Sequence, residues 1–510
     1  MADNLKDVDM TVETYNRGKI VIVTYLNRNT TEAPPQSSGD DHDHIKPNQP
    51  ELKPNQPENP EVTVAEAAAK INASDLAAFL AKTSASYESK QHIQVKLFAD
   101  YFDRVFASVS ATQFPWLKIF GESSFGKIVD IPISHISNDV YKTSVDWLNQ
   151  ISCEALGPFV LRSLDKIFSD MDKSRKVVQQ PQKSRAAIFV VLATVVRQKP
   201  DVLISLLPVM AKDPKYQVHQ DKQKITIWLV AQAFEGNLIV GLFMWVHLLL
   251  PMLSYSNRQN RCLILKLMER ILSVPKARSV LLNGVVWNGE RVVPPWALEL
   301  LMRIAFPVYL KDKVKATQRF EAVYRTLKKI ALACSPGSKE MKQITGEILQ
   351  FAIKAVGEHK CIHGLTDEAT NIFIWCLTQN QDCYKQWEDL YLDNIEASVY
   401  ILDKLYNGWE EHSVKHCNLQ SLKTSLKSFR QTNSEALAIR ENEYLTYAEA
   451  YCKLISKRLS WFERISGRYT EWFERISRRY TEALGFVLLA AGAGGAAIMY
   501  RNIQLLFTMT

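Results

Sequence analysis

Two groups of residues have types and spacings that could do chemistry, and the first nearly matches a phosphate-binding loop. From Gly121 to Lys127 the chain reads Gly-Glu-Ser-Ser-Phe-Gly-Lys. In the complete motif backbone N–H groups cradle phosphates, the lysine reaches them, and a following Ser or Thr holds Mg²⁺. Here Ile128 follows the lysine, and Pro132 disfavours a clean helix whose N-terminus would face the phosphates. A nucleotide-binding enzyme that uses this loop is therefore the alternative prediction.

The second group consists of histidines and cysteines with spacings that metal ligands could have. They are His359, Cys361 and His363, followed by His412, His416 and Cys417. A structural zinc site needs four convergent ligands, and nothing in the sequence brings the two sets together. No G-x-S-x-G, H-E-x-x-H or dinucleotide fingerprint occurs either. We therefore predict no metal, no cofactor and no catalytic residue, and expect that the chain is not an enzyme.

The longest uncharged apolar stretch near the C-terminus is residues 483–500. At helical rise this segment covers about 27 Å, close to the roughly 30 Å of bilayer hydrocarbon. Ten residues follow it in the sequence, and residues 1–9 contain no apolar run typical of a signal peptide. The pattern predicts a tail-anchored protein with one transmembrane helix. The membrane-spanning residues singled out are Ala483, Phe486, Leu489, Gly494 and Tyr500.

The residues around this segment predict its orientation. Five basic residues precede it, and only one follows: Arg464, Arg468, Arg475, Arg478 and Arg479, then Arg501. By the positive-inside rule the N-terminal side is cytosolic, and residues 501–510 form a short lumenal tail. The small residues of the span could allow a homo-oligomer. The segment is rich in Gly and Ala, so a buried helix of a soluble trafficking adaptor is a second alternative.

An eleven-residue unit occurs twice before the apolar segment, at 461–471 and 472–482. Eleven residues make three helical turns, so the aromatic residues of both units fall within an arc of about 120°. We predict an amphipathic juxtamembrane helix over 460–482 that contacts lipid headgroups. An ordinary helix packed on the protein's own core is the alternative. The predicted interface residues are Trp461, Tyr469, Trp472, Tyr480, Arg475, Arg478 and Arg479.

Composition limits the class of protein. The net charge of +8 is modest for 510 residues and no nucleic-acid motif occurs, so nucleic acid is not an expected partner. The expected partners are the lipid bilayer and a cytosolic protein. None of the eight cysteines forms a C-x-x-C pair, which is typical of reduced, partly buried thiols in a cytosolic protein.

The remaining sequence predicts an all-α fold. Residues 1–61 contain a Pro-rich, low-complexity linker and are expected to be disordered. Residues 62–459 show helical periodicity punctuated by prolines, which predicts a cytosolic helical-repeat-like domain, an irregular α-solenoid of stacked helical pairs. The stretch 238–253 is uncharged apart from His247 and is predicted to be a buried helix of that domain.

Several longer strings resemble the plant branch of the transmembrane protein 214 family. They lie between about residues 65 and 455 and include 114–118, 129–135, 140–148, 221–228, 288–295, 314–322 and 336–339. The resemblance implies an endoplasmic-reticulum membrane protein with a cytosolic helical domain. Together with the single predicted span and the absence of a catalytic signature, this predicts a single-pass protein with a cytosolic N-terminus that acts as a non-enzymatic scaffold. Animal members of this family are associated with recruiting a procaspase during stress-induced cell death, so the resemblance also implies an adaptor in such signalling.

Overall fold

The computed structural model describes residues 62–131, 133–176, 184–306, 315–358, 363–409 and 419–480. In these residues the prediction of an all-helical chain is confirmed, apart from one two-residue β-ladder. The helices form two compact units: unit 1 ends at Ala333 and unit 2 begins at Cys334. The predicted disordered segment 1–61 lies outside the described residues, as does the predicted span 483–500.

Unit 1 contains seventeen described helices and the two short strands. The helices are α1 Val64–Ala69, α2 Ala73–Ser86, α3 Gln91–Val105, α4 Trp116–Glu122, α5 Phe125–Asp130, α6 Asn138–Leu148, α7 Cys153–Lys176, α8 Ala186–Gln198, α9 Asp201–Lys212, α10 Pro214–Gln217, α11 Gln220–Gly236, α12 Leu238–Met244, α13 Leu250–Met252, α14 Arg258–Ser273, α15 Ala277–Asn283, α16 Pro295–Ala305 and α17 Lys315–Leu332. The strands are β1 Val286–Trp287 and β2 Glu290–Arg291. Many of the helices begin where the sequence supplies a cap; Asn72, for example, accepts the N–H of Ser74 at 2.8 Å.

The core of unit 1 is built around α8 and α11. Every residue of α8 from Ala186 to Val196 is buried, because the helix is apolar on all sides. α11 packs against α4, α5, α8, α10, α12 and α14. At the centre the ring of Phe189 meets four other aromatic rings, those of Phe114, Trp116, Phe120 and Trp228.

These contacts do not establish a solenoid. In a solenoid each repeat touches only its neighbours in the chain, whereas α11 also contacts α4 and α5, which lie about a hundred residues earlier. The solenoid therefore stays a prediction.

The apolar stretch 238–253 is a buried helix, as predicted. α12 continues through a π-helical segment, Trp245–Leu249, into α13, and Trp245 donates its indole N–H to the Ile264 carbonyl at 2.9 Å. Within the part of the chain that the structure describes, no helix combines the length and apolar character needed to cross a bilayer.

Three prolines that the sequence analysis treats as helix breakers lie inside helices. Pro158 is within α7, Pro208 within α9 and Pro251 within α13. Pro158 and Pro208 are on exposed faces, where water can bond the carbonyl that each proline leaves without a helical donor. Pro251 lies two residues after the end of the π-helical segment, in the first turn of α13, where a missing N–H donor is tolerated.

The β-ladder is a tight hairpin that periodicity did not reveal. Asn288 and Gly289 have φ values of 50° and 84°, as a two-residue type I′ turn requires. Beyond the turn, Arg291 donates from Nη2 to the carbonyls of Ala331 and Ala333, both at 2.9 Å. The hairpin thus satisfies carbonyls at the end of α17 that have no helical donor.

His247 connects the buried helix to this hairpin and should make unit 1 sensitive to acid. Its ring stacks on that of Phe243, with 4.0 Å between the ring centroids. Its Nε2 lies 3.2 Å from the Arg291 carbonyl oxygen, and because a carbonyl can only accept a hydrogen bond, Nε2 carries the proton. Burial lowers the pKa of His247 below its ordinary value, although the bond to Arg291 and the nearby Glu290 act in the opposite direction.

Because the folded-state pKa is lowered, the unfolded chain binds the proton first as the pH falls through about 6.5. Stability of the wild type should therefore fall between pH 7.5 and pH 5.5 more than that of His247→Gln, which does not titrate. Urea denaturation at both pH values measures this. Equal losses of stability in the two proteins would contradict the prediction.

Unit 2 contains six described helices. They are α18 Lys339–Gly357, α19 His363–Gln379, α20 Asp382–Leu390, α21 Ile395–Asn407, α22 Leu419–Ile439 and α23 Glu443–Tyr480. α18 packs against α19, α20 and α21, and α23 packs against α21 and α22. α20 and α21 are separated by residues 391–394, and α22 and α23 by residues 440–442, although helical periodicity continues through both segments.

Candidate interaction surface on the C-terminal helix

The C-terminal helix α23 is the element that joins unit 2 to the predicted juxtamembrane region. It runs without interruption for 38 residues, from Glu443 to Tyr480, which corresponds to about 57 Å at helical rise. It therefore continues across the boundary that the sequence analysis places between residues 459 and 460. The first eleven-residue unit and the first nine residues of the second are part of one helix whose first half packs in the core of unit 2.

The first half of α23 is fixed by burial. One face of it is inaccessible to solvent, namely Leu445, Ala448, Cys452, Ile455 and Leu459. These residues follow a spacing of three and four, so they form a single stripe against α21 and α22. The Tyr391 ring stacks on Phe429 at 4.0 Å in the same core, and its hydroxyl donates to Asn433 at 3.0 Å.

Charged groups set the register of α23. Glu449 accepts from Arg430 at 3.1 Å, and Glu463 binds Lys423 at 2.7 Å, so α22 and α23 run antiparallel. Arg458 places its guanidinium over the Tyr406 ring, 3.9 Å from the centroid. Because Lys423 faces Glu463 and the helices are antiparallel, Leu419, four residues before Lys423, lies level with about residue 467 of α23. The helix therefore continues for about thirteen residues, or roughly 20 Å, beyond the first described residue of α22.

A second stripe on α23 is apolar and exposed. Tyr447, Leu454 and Trp461 keep 48%, 40% and 39% of their surface accessible. Residues seven apart on a helix differ by only about 20° in direction, so the three share one side, about 140° from the buried face. We call these three residues the α23 stripe. The sequence analysis identified only Trp461, although the heptad spacing of Tyr447 and Leu454 was a signal that could have revealed the rest.

The structure tests only part of the predicted juxtamembrane interface. Trp461 is exposed, as are Arg464 and Arg468. The other predicted residues lie on α23 by their backbone, but their side chains are outside the described residues: Tyr469, Trp472, Arg475, Arg478, Arg479 and Tyr480. The predicted membrane-spanning residues Ala483, Phe486, Leu489, Gly494 and Tyr500 also lie outside the described residues.

The near match to a phosphate-binding loop is wrong in structural terms. Gly121 lies within α4, and Gly126 and Lys127 lie within the six-residue α5, so the segment is a helix–bend–helix. A phosphate cradle needs a flexible loop between a strand and a longer helix. Neither glycine has a positive φ. Lys127 is exposed, and the motif match reflects composition alone.

The candidate metal ligands lie outside the described residues: His359, Cys361, the side chain of His363, His412, His416 and Cys417. The residues that the structure describes contain no cluster of three potential ligands. Six cysteines are described, and all are free. Burial raises the pKa of Cys383 to about 11 and that of Cys452 to about 12, so these thiols stay protonated near neutral pH.

A groove of about 370 Å³ opens between α3, α7 and α8 in unit 1. Lys96, Arg162 and Lys166 line it together with Asp100 and Asp103. Three cations facing two carboxylates leave little net charge, so the groove does not favour an anionic ligand. No residue singled out from the sequence lies in it.

Comparison with known proteins places the chain in a family. A family model described as "TMEM214, C-terminal, caspase 4 activator" matches residues 12–476. Transmembrane protein 214-B of Xenopus laevis is 23% identical over 247 residues, which cover 48% of this chain and 33% of the frog protein. Human transmembrane protein 214 is 20% identical over 327 residues, which cover 64% of this chain and 44% of the human protein.

The matched segments thus span between a third and just under half of the relatives' own length. No solved structure matches the chain. The family model covers most of the 510 residues, including both units and all but the last four residues of α23. The chain therefore belongs to the transmembrane protein 214 family.

Proposed function

We propose that this chain is a membrane protein of the endoplasmic reticulum that presents its two helical units to the cytosol as a non-enzymatic scaffold. In this proposal residues 483–500 cross the bilayer once and the N-terminal side is cytosolic. The basic residues that precede the span, and the single arginine that follows it, favour this orientation.

The observation that carries the proposal is the continuity of α23. Its first half is packed into unit 2, and only two residues separate its last described residue, Tyr480, from the apolar segment. A helix fixed in this way would couple the folded unit to the bilayer with little freedom, as a scaffold that holds a partner near the membrane requires.

A role in cell-death signalling is proposed on the family description. That description names an activator of caspase 4 rather than an enzyme. We propose that the cytosolic units bind a protein partner in stress-linked signalling and bring it to the membrane. The chain itself would supply binding surfaces and no catalytic group.

The test introduces charge into the proposed span of the full-length chain. Each arginine at the centre of a membrane helix costs roughly 2.5 to 3.5 kcal/mol on the insertion scale, so Leu488→Arg with Leu489→Arg should prevent insertion of this moderately apolar segment. We expect the wild type to resist carbonate extraction and to co-localise with an endoplasmic-reticulum marker. The double variant should be released by carbonate.

Gly494→Ala is the matched control, since it leaves the segment uncharged and should keep the protein in the membrane. A glycosylation sequon appended after Thr510 should be modified in the wild type and in this control, and unmodified in the double-arginine variant. A double-arginine variant that still resists carbonate would overturn the anchor. An unglycosylated, freely soluble wild type would instead favour the trafficking-adaptor alternative.

A further inference from the structure

We infer that the α23 stripe is a membrane-contact surface that lays unit 2 against an anionic bilayer. The inference rests on the proposed anchor and extends it from the juxtamembrane repeats into the folded unit. The stripe's occupant would be the lipid headgroup layer, with the rings of Tyr447 and Trp461 and the side chain of Leu454 at its boundary.

The first support is continuity along the helix. Leu454 and Trp461 project in the same direction as Ile465 farther along α23, to within about 40°. The surface therefore continues into the first repeat for about 27 Å, from Tyr447 to Ile465. This surface leads along one helix toward the apolar segment 483–500. A bilayer that receives residues 483–500 is therefore the extended surface nearest to the stripe.

The second support is charge. Lys457, Arg464 and Arg468 are exposed and lie about 60° beyond the stripe, on the side away from the buried face. The acidic residues Glu449 and Glu463 point elsewhere, because both are engaged with cations of α22. Glu443 lies on the stripe's side at its N-terminal end, where it accepts the Tyr447 hydroxyl at 2.7 Å. An apolar and aromatic stripe with a basic flank is the pattern of helices that lie in an anionic interface.

The same charges argue against a second copy of this chain that pairs its stripe in parallel. Such a pair would bring the cations of both flanks together, because Glu443, the exposed carboxylate on the stripe's side of α23, lies fourteen residues, about 21 Å, before Lys457 and accepts the Tyr447 hydroxyl. Like charges in contact are destabilising, whereas anionic lipid neutralises them. The bilayer is therefore the better complement.

The experiment uses the full-length chain in vesicles of phosphatidylcholine with phosphatidylserine. A photo-reactive diazirine amino acid replaces Leu454 in one sample and Ser460 in the control. Ser460 is exposed on the same helix but about 120° from the stripe. We expect lipid adducts at position 454 to exceed those at position 460 several-fold. Reversing the flank with Lys457→Glu and Arg464→Glu should lower the adduct yield at 454 about fivefold or more, since each charge near such a surface contributes about 1 kcal/mol.

Carbonate extraction of the same samples separates the two proposals. Lipid adducts at 454 in protein that carbonate removes would support the contact surface while overturning the anchor. Two results in carbonate-resistant protein would overturn the contact surface and leave the anchor standing. One is the absence of lipid adducts at position 454, and the other is an adduct between position 454 and a second polypeptide. Equal adduct yields at 454 and 460 would also overturn it.

Discussion

Replacing Gly236 with alanine should strongly destabilise unit 1. Gly236 is the last residue of α11, and a Cβ there would lie 2.0 Å from the Arg197 carbonyl oxygen at the end of α8. The obstacle is backbone and cannot rotate away, so the two central helices would have to separate. The same helix end holds a polar network, in which the Arg197 guanidinium donates to Gln232 at 2.7 Å and to the Val129 carbonyl at 3.1 Å.

We expect Gly236→Ala to lose about 3 kcal/mol of unfolding free energy or more, at the upper end of what overpacking usually costs. Urea denaturation followed by tryptophan fluorescence measures it. Gly126→Ala is the matched control, because a Cβ at Gly126 meets no atom within 4 Å. That control should gain up to about 1 kcal/mol, as alanine is the better helix former. If the free energy of unfolding of Gly236→Ala equals that of the wild type, the close approach of α8 and α11 is contradicted.

Replacing Phe189 with alanine should destabilise unit 1 by about 3 to 5 kcal/mol, the usual cost of removing a buried aromatic ring. Phe189 is fully buried, and its ring centroid lies 5.1 Å from that of Phe120, 5.2 Å from Trp228 and 5.5 Å from Trp116. The deletion would leave a cavity among large rings that cannot collapse into it easily.

Phe189→Leu serves as the control, because it retains most of the volume and should cost roughly 1 to 2 kcal/mol. Near-ultraviolet circular dichroism should weaken in both variants as the aromatic packing around Trp228 changes. The difference in unfolding free energy between the two variants reports the cavity. If alanine costs no more than leucine, Phe189 is not the centre of the core.

Most helices of this chain could be predicted from local sequence. Apolar residues recur at helical spacing over 257–273 and 338–356, and the structure has α14 at Arg258–Ser273 and α18 at Lys339–Gly357. Both have a strong N-cap: Asn257 accepts the Asn260 N–H at 2.9 Å, and Ser338 accepts the Met341 N–H at 3.0 Å. Such signals are local, so they can be recognised without the fold.

The interruption at 391–394 could not be predicted in this way, whereas the one at 440–442 has a local cap signal, Asn442, that periodicity alone overlooks. Neither the segment 391–394 nor the segment 440–442 contains a proline or glycine. In the first, Tyr391 leaves the helical ladder and is buried against Phe429, a residue 38 positions later. In the second, Asn442 accepts the N–H of Tyr444 at 2.9 Å and starts a new helix. Long-range packing therefore decides where α20 ends.

The candidate surface on α23 also has features that local sequence predicts and features that long-range packing decides. The amino-acid sequence alone determined that helical periodicity extends to residue 459, that the repeats over 460–482 favour an amphipathic helix, and that an uncharged apolar segment follows. Only the tertiary structure decided which apolar residues of α23 stay accessible. Leu454 and Ile455 are neighbours of similar size and apolar character, and each has apolar residues at helical spacing along the chain. The helices α21 and α22 cover Ile455 and leave Leu454 at the surface, because exposure depends on which side of a helix its neighbours occupy.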